Sequence, residues 1–390
     1  MAQKVTITEI FPLVFGDVSL GFTRVAKRLY GSDALYGPIV NIFKWERGME
    51  LVTIKIGPHE VENGIKGFVF LRGFPGSFFI YPGNEDSPPY ICVTVHSKHR
   101  EAAENFLQEV CTQIETQSIY KGKTLLFGAG GIEFLELGTI SSERIVYNDT
   151  VLRKLNEYVW TVIENTELCE AAMIPGQRKV LFKGPYGSGK TLTALLTAQK
   201  AAARGWTVIY LEPTSAGATN AVYATYRFAQ KYQPAFVIIE DMDREQRAES
   251  ADILGRILVA VDGIVSKNAK IFTIMTTNFG EKIAGGMQRP GRIDRVIDFH
   301  RFDPADIKKL LLATVPVCYI ADVVDWERVA ASCQDYSPVF VVEVGRGAVL
   351  SAIHRNKKNP FITEEMLLHA AEDLRPQFDA CNAQFGFGKR

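Results

Sequence analysis

The spacing of apolar and polar positions changes partway along the chain, and the change divides it. Up to about residue 140, strand-length apolar runs dominate: Lys4–Ile10, Leu51–Ile56, Gly67–Leu71 and Tyr90–Val95 read as strands. Between them, Pro82-Gly83-Asn84 and Ser87-Pro88-Pro89 are turn signals. Ser97 reads as the N-cap of a helix running to about Thr116, in which Ala103, Phe106, Leu107, Val110 and Ile114 recur at helical spacing. Two more strands, Thr124–Phe127 and Glu133–Leu137, are predicted on either side of Gly128-Ala129-Gly130-Gly131. Residues 1–141 are therefore expected to form a small α+β domain. It shows no catalytic constellation. His96 and His99 lack further metal ligands and read as solvated.

From Ser142 the pattern becomes alternating strands and helices. Asn148-Asp149 can cap a helix from Thr150 to Asn165, and Val180-Leu181-Phe182 is a strand. A helix from Leu192 to Arg204 follows and is ended by Gly205. Then come a strand at Trp206–Leu211, a helix at Asn220–Tyr232 stopped near Pro234, and a buried-type strand at Ala235–Ile239. A helix at Asp252–Val261 and a strand at Lys270–Thr276 complete the run. Such alternation predicts an α/β fold, a parallel sheet sandwiched by helices, over residues 142–303. After Pro304 the strands stop. Asp306–Ala313, Trp326–Ser332, Val339–His354 and Glu364–Leu374 read as helices of a small lid over 304–376, with 377–390 as a flexible tail.

The chemistry lies at the ends of these strands. Gly184-Pro185-Tyr186-Gly187-Ser188-Gly189-Lys190-Thr191 reads G-x-x-x-x-G-K-[ST], between a strand and a helix that opens with Leu192. This is the phosphate-binding P-loop. Glycines let backbone N–H groups curl round an anion, and the helix N-terminus adds partial positive charge. Lys190 would reach the β/γ-phosphates of ATP, and the Thr191 hydroxyl would ligate Mg²⁺. The apolar strand ending in Glu240-Asp241 is a Walker B arrangement: one carboxylate holds Mg²⁺ and its waters, the next takes a proton from the attacking water. Asn278, ending Thr276-Thr277-Asn278, can orient that water. Arg289 and Arg292, on the turn Arg289-Pro290-Gly291-Arg292-Ile293-Asp294-Arg295, suit planar recognition of phosphate oxygens.

Composition narrows the setting. Lys+Arg and Asp+Glu each total 44, so the formal charge is zero and a whole-chain polyanion binder gains no support; a nucleic-acid motor is disfavoured. No run reaches the length of a membrane span, and the N-terminus does not read as a signal peptide. The six cysteines are scattered without a C-x-x-C pair, which argues for reduced thiols in a cytoplasmic setting.

In this order the P-loop, Walker B, T-T-N and R-P-G-R-x-D-R motifs, followed by a helical lid, resemble the AAA family of ATPases, in the group with the second region of homology. The resemblance covers Ser142 to Leu374 of the 390 residues. It implies that Asn278 is sensor 1 and that Arg289 and Arg292 are arginine fingers acting on a neighbouring subunit's nucleotide. It further implies a homo-hexamer or similar ring that remodels a macromolecular, chaperone-type target, with 1–141 binding that target or an adaptor. Three departures bear on the work done. The family's usual Asp-Glu pair is Glu240-Asp241 here, which puts Glu240 on the metal side and Asp241, one methylene shorter, in the base role. The pore-loop place holds Ser215-Ala216-Gly217 with no aromatic to grip a peptide, and Tyr223 and Tyr226 nearby read as packed on their helix. That points away from threading and towards a subgroup, typified by a mitochondrial translocase, that moves folded cargo. The lid helix opens Ser337-Pro338-Val339 and offers no clear sensor-2 arginine; Arg346 is a candidate by proximity alone, and a solvated helix arginine is the preferred reading. A slow nucleotide switch or scaffold is the competing function.

Overall fold

In a computed structural model of the chain the described residues are 4–10, 14–36, 49–83, 88–128, 131–142, 145–211, 218–240, 269–278, 292–321 and 323–384. The first unit is an antiparallel sheet with two helices on one face. Its strands are β1 (Lys4–Ile10), β2 (Leu35–Tyr36), β3 (Glu50–Lys55), β4 (Val61–Leu71), β5 (Gly76–Tyr81) and β6 (Tyr90–His96), in the order β1-β6-β5-β4-β2 with β3 beside β4. Period-two burial runs along β6, where Ile91, Val93 and Val95 face α1 (Phe15–Tyr30) and α2 (Arg100–Thr116) in one core. Neither α1 nor β5 is expected from the sequence. The glycines and β-branched residues of α1 weaken its helix propensity, and packing overrides that weakness. A Cβ on Gly21 would stand 2.5 Å from an Ile114 side-chain carbon, so glycine is what lets α1 lie close against α2.

The second sheet has seven strands: β7 (Thr124–Gly128), β8 (Gly131–Phe134), β9 (Arg178–Lys183), β10 (Thr207–Leu211), β11 (Ala235–Ile239), β12 (Ile271–Thr277) and β13 (Arg295–Asp298). Their order is β13-β9-β12-β11-β10-β7-β8, parallel except for β8. One expectation is corrected here. Thr124–Gly128 and Gly131–Phe134 belong to this sheet, with Val208 paired to Thr124, so a boundary at 141/142 cuts through it. A pairing 84 residues apart leaves no mark in local periodicity. Every residue of β11 and β12 is buried, as a central strand covered on both faces requires.

One face of this sheet packs on α3 (Asp149–Leu155), α4 (Thr161–Glu164) and α6 (Lys190–Ala203); α5 (Thr166–Ala171) follows α4. The Asn148 side chain accepts from the Thr150 N–H at 2.9 Å, as the cap expectation has it, and a π-turn at Asn156–Trp160 joins α3 to α4. The other face packs on α7 (Ala218–Lys231) and on Leu20 and Ile54 of the first unit, so one core crosses the junction. Asp17 stands at that junction. Its carboxylate accepts from Ser118 Oγ at 2.7 Å, Ile119 N at 2.8 Å and the Tyr232 hydroxyl at 2.8 Å. Burial holds Asp17 above the ordinary aspartate range in spite of the three bonds, and it pushes the Tyr232 phenol up as well.

The lid comprises α8 (Pro304–Thr314), α9 (Trp326–Ser332), α10 (Pro338–Arg355) and α11 (Glu364–Gln384). The flexible-tail expectation is corrected up to Gln384: α11 continues through Pro376. Phe378 is buried against Tyr336 and Phe340, and Arg375 lies over the Tyr336 ring at 4.5 Å. These contacts outweigh the hydrogen bond that proline removes. The helix expected at Asp252–Val261 lies outside the described residues.

Candidate functional site

Strands β9, β11 and β12 run parallel, so their C-terminal ends emerge on one edge. Register sets which residues meet there. Ile239 pairs with Met275 and Thr277 with Lys183, so Glu240, Asn278 and Gly184 follow at neighbouring positions. The Gly184 N–H donates to Thr277 O at 3.3 Å and ties the start of the P-loop to the strand that ends in Asn278.

The loop itself turns on glycines. Gly187 has φ 72°, and a Cβ there would sit 2.5 Å from Val339. The lid approaches the loop that closely because the Val339 N–H donates to Gly187 O at 3.3 Å. Gly189, at φ 94°, sets the turn into α6. Lys190 opens that helix and is buried; its ammonium donates to Gly184 O at 2.8 Å, Pro185 O at 2.9 Å, Ser188 Oγ at 3.4 Å and Asn278 Oδ1 at 2.8 Å. The loop lysine and the Asn at the end of β12, nominated separately from sequence, are thus in direct contact.

A cavity of about 510 Å³ opens over this loop. Its polar floor is Gly187–Leu192 with Asn278, and the exposed Thr191 belongs to it. Its apolar walls come from three places: Ile145, Val146 and Tyr147 before α3; Leu195 on α6; and Phe302, Leu310, Pro338, Val339 and Val342 of the lid. A charged, N–H-rich floor under an apolar slot suits a nucleotide, phosphates below and base above. Tyr147 bonds Thr193 at 3.1 Å, and burial pushes its phenol up to about 12. Arg346 lines the same cavity, pairs with Glu343 on its own helix and has a side chain 65% exposed. Tyr147, Val342 and the other wall residues were missed from sequence. They are ordinary apolar positions, and only the closing of the lid makes them walls.

Glu240 directly follows β11, is 8% exposed and lies outside the cavity wall. Its Oε2 accepts from the Tyr210 hydroxyl at 2.5 Å, whereas Oε1 is buried without a hydrogen-bond partner. A carboxylate oxygen stranded in this way fits a role towards an absent cation or its water. Among the described residues no group of three or more His, Cys, Asp or Glu could hold a metal. Mg²⁺ at a nucleotide site takes most of its ligands from phosphate and water, so Thr191 and Glu240 would be a sufficient protein share for it. Asp241 and Arg289 lie outside the described residues, as does the aromatic-free Ser215-Ala216-Gly217.

The rest of the arginine-rich turn divides by role. Arg292 is exposed and is not part of its own chain's cavity. Asp294 clips the sheet instead: its carboxylate accepts from the Lys179 N–H at 2.8 Å, and its own N–H donates to Lys179 O at 2.8 Å. Arg295 lies over the Tyr158 ring at 4.5 Å. Of the two tyrosines near the pore-loop place, Tyr226 is buried and bonds Thr273 at 2.7 Å, whereas Tyr223 is 44% exposed. The expectation of a packed residue thus holds for Tyr226 and fails for Tyr223, which faces outward on α7 under Arg227.

Comparison with known proteins agrees with the geometry. Residues 180–301 match the model of the ATPase family associated with various cellular activities (AAA). "Protein SAV" of Sulfolobus acidocaldarius is 25% identical over 58% of this chain and 30% of its own length. A "probable mitochondrial chaperone bcs1" of Schizosaccharomyces pombe is 29% identical over 52% of this chain and 47% of its own. A "26S proteasome regulatory subunit 6B homolog" of Dictyostelium discoideum is 26% identical over 54% and 55%. The chain thus spans about half or less of the length of the curated relatives it matches. With its P-loop, its buried strand leading into Glu240 and its lid in place, the chain carries an AAA domain at residues 180–301.

Proposed function

We propose that this chain is a Mg²⁺-dependent ATP hydrolase that works as a ring and uses turnover to rearrange a macromolecular target, most simply a protein held by the first unit. The observation that carries the hydrolytic part is the contact of Lys190 with Asn278 on the cavity floor, together with a buried Glu240 that keeps one stranded oxygen. In this reading Lys190 and the loop N–H groups bind the β/γ-phosphates, and Mg²⁺ when bound neutralises their developing charge. Thr191 and Glu240 hold the ion and its waters. Asn278 orients the attacking water, and Asp241 takes its proton. Arg346 and the lid close over the nucleotide.

The ring part of this reading draws its support from Arg292. It is exposed, away from its own cavity, on a turn whose neighbours Asp294 and Arg295 are anchored to the sheet. An arginine held there serves the nucleotide of the next subunit. No helix among the described residues is long and apolar enough to cross a membrane. The name of one relative, a probable mitochondrial chaperone, is in keeping with a protein target.

The test is steady-state ATP hydrolysis against protein concentration, with EDTA and Arg292→Ala as controls. Specific activity should rise with concentration, vanish in EDTA and fall at least tenfold in Arg292→Ala, a low bound for an arginine finger. A near-zero rate that is independent of concentration would favour the second reading, a slow nucleotide switch or scaffold. That reading draws on the inverted order Glu240-Asp241. An Asp241→Asn chain loaded with ATP should retain its target in a pull-down, which would name the partner.

A further inference from the structure

Tyr210 stands apart from every motif noted above. It lies on β10, the strand next to β11, and pairs with Ile238. Side chains two apart on a strand share a face, so Tyr210 and Glu240 point to the same side of the sheet. The phenol reaches towards the C-terminal edge and donates to Glu240 Oε2 at 2.5 Å. Its ring is half-buried against the same core as Phe236 and Ile238, which limits its own freedom.

The bond is asymmetric in effect. One carboxylate oxygen is taken by a strong donor; the other is buried with no partner. A carboxylate with both oxygens free can rotate about its last bond, and with one oxygen held it cannot. A hydrogen bond to a charged acceptor is among the stronger ones, so this hold is substantial. We infer that Tyr210 is a positioning residue for hydrolysis: it holds Glu240 by Oε2 so that Oε1 is presented to the Mg²⁺-bound water. The inference rests on the metal-side reading of Glu240 given above. Tyr210 itself touches neither nucleotide nor ion in this scheme. It acts through Glu240.

The test is a cycle of Tyr210→Phe, Glu240→Gln and the double variant in the full chain. It reads kcat, half-saturating Mg²⁺, and binding of a fluorescent ATP analogue in EDTA. Tyr210→Phe keeps the ring, and so the packing, and removes only the donor. It should lower kcat and raise half-saturating Mg²⁺ roughly tenfold while binding in EDTA is unchanged, since that binding does not use Glu240. The double variant should be no slower than Glu240→Gln alone. If Glu240→Gln is inactive and Tyr210→Phe is like wild type or faster, the inference fails and the reading of Glu240 stands. If Glu240→Gln is itself like wild type, the reading of Glu240 fails and takes this inference with it. A double variant clearly slower than Glu240→Gln would mean that Tyr210 acts by another route, which also overturns the inference.

Discussion

Two of the carboxylates buried among the described residues, Asp17 and Glu240, are treated in opposite ways. Asp17, 3% exposed at the junction of the first unit with the large sheet, receives three hydrogen bonds from two separate segments. Glu240, 8% exposed at the end of β11, receives one bond and keeps a stranded oxygen. Burying a polar atom without a partner costs free energy, so a fold that keeps one is holding it for something else. Full satisfaction marks Asp17 as a structural rivet between α1, the turn after α2 and the residue following α7. Partial satisfaction suits the metal-side role proposed for Glu240.

The comparison is broken most easily at Glu240. Glu240→Gln should slow hydrolysis on the order of 100-fold, about 2.7 kcal/mol in the barrier, and leave the urea midpoint within error of wild type or slightly above it. A chain that loses stability in step with activity would make Glu240 structural after all. Asp17→Ala is the converse. It leaves Ser118 Oγ, Ile119 N and the Tyr232 hydroxyl without their acceptor, so unfolding free energy should fall by about 2–4 kcal/mol. Activity per folded molecule should stay within about twofold, a barrier change of under half a kcal/mol. Denaturant titration and an ATPase assay at low temperature separate the two.

Smaller effects sharpen the same contrast. Tyr232→Phe removes one of the three donors to Asp17 and should cost about 1–2 kcal/mol of stability, again without a change in kcat. The smallest effect concerns pH. Burial raises the Asp17 carboxyl above its ordinary value of 3.8, so the native chain takes up this proton before the unfolded chain does. By linkage the stability due to this group is greatest below 3.8 and is lost as pH rises through the native value. Subtracting the pH profile of Asp17→Asn from that of wild type should leave a difference that falls across that window. A difference that rises there would reverse the sign of the burial effect.

How far the sequence could show all this depended on range. Lys190, Glu240 and Asn278 are legible because a glycine loop and two apolar strands, each a local pattern, end in them. That Lys190 and Asn278 touch is a matter of strand order, 88 residues apart, and no window of sequence contains it. The same holds for Thr124–Gly128, which reads as a strand correctly but pairs with β10 far downstream. Helix α1 was hidden because Gly16 and Gly21 lower its propensity, although they fit its packing. Pro376 read as a stop because local rules price its missing hydrogen bond but not the burial of Phe378. Tyr210 read as one more aromatic residue of a buried strand. Its hydroxyl takes on meaning only with Glu240 beside it.

The central claim is that the loop at Gly184–Thr191 and its lysine form an ATP site able to turn over. It is tested most directly by measuring equilibrium ATP binding and phosphate release in Mg²⁺ on the same samples of wild type and Lys190→Ala. The account predicts that wild type binds and hydrolyses ATP, and that Lys190→Ala, folded by circular dichroism, loses at least 10-fold in affinity together with nearly all turnover, as removal of a charge-assisted phosphate contact requires. A wild type that binds no ATP, or a Lys190→Ala chain that binds and hydrolyses it as wild type does, would contradict the account.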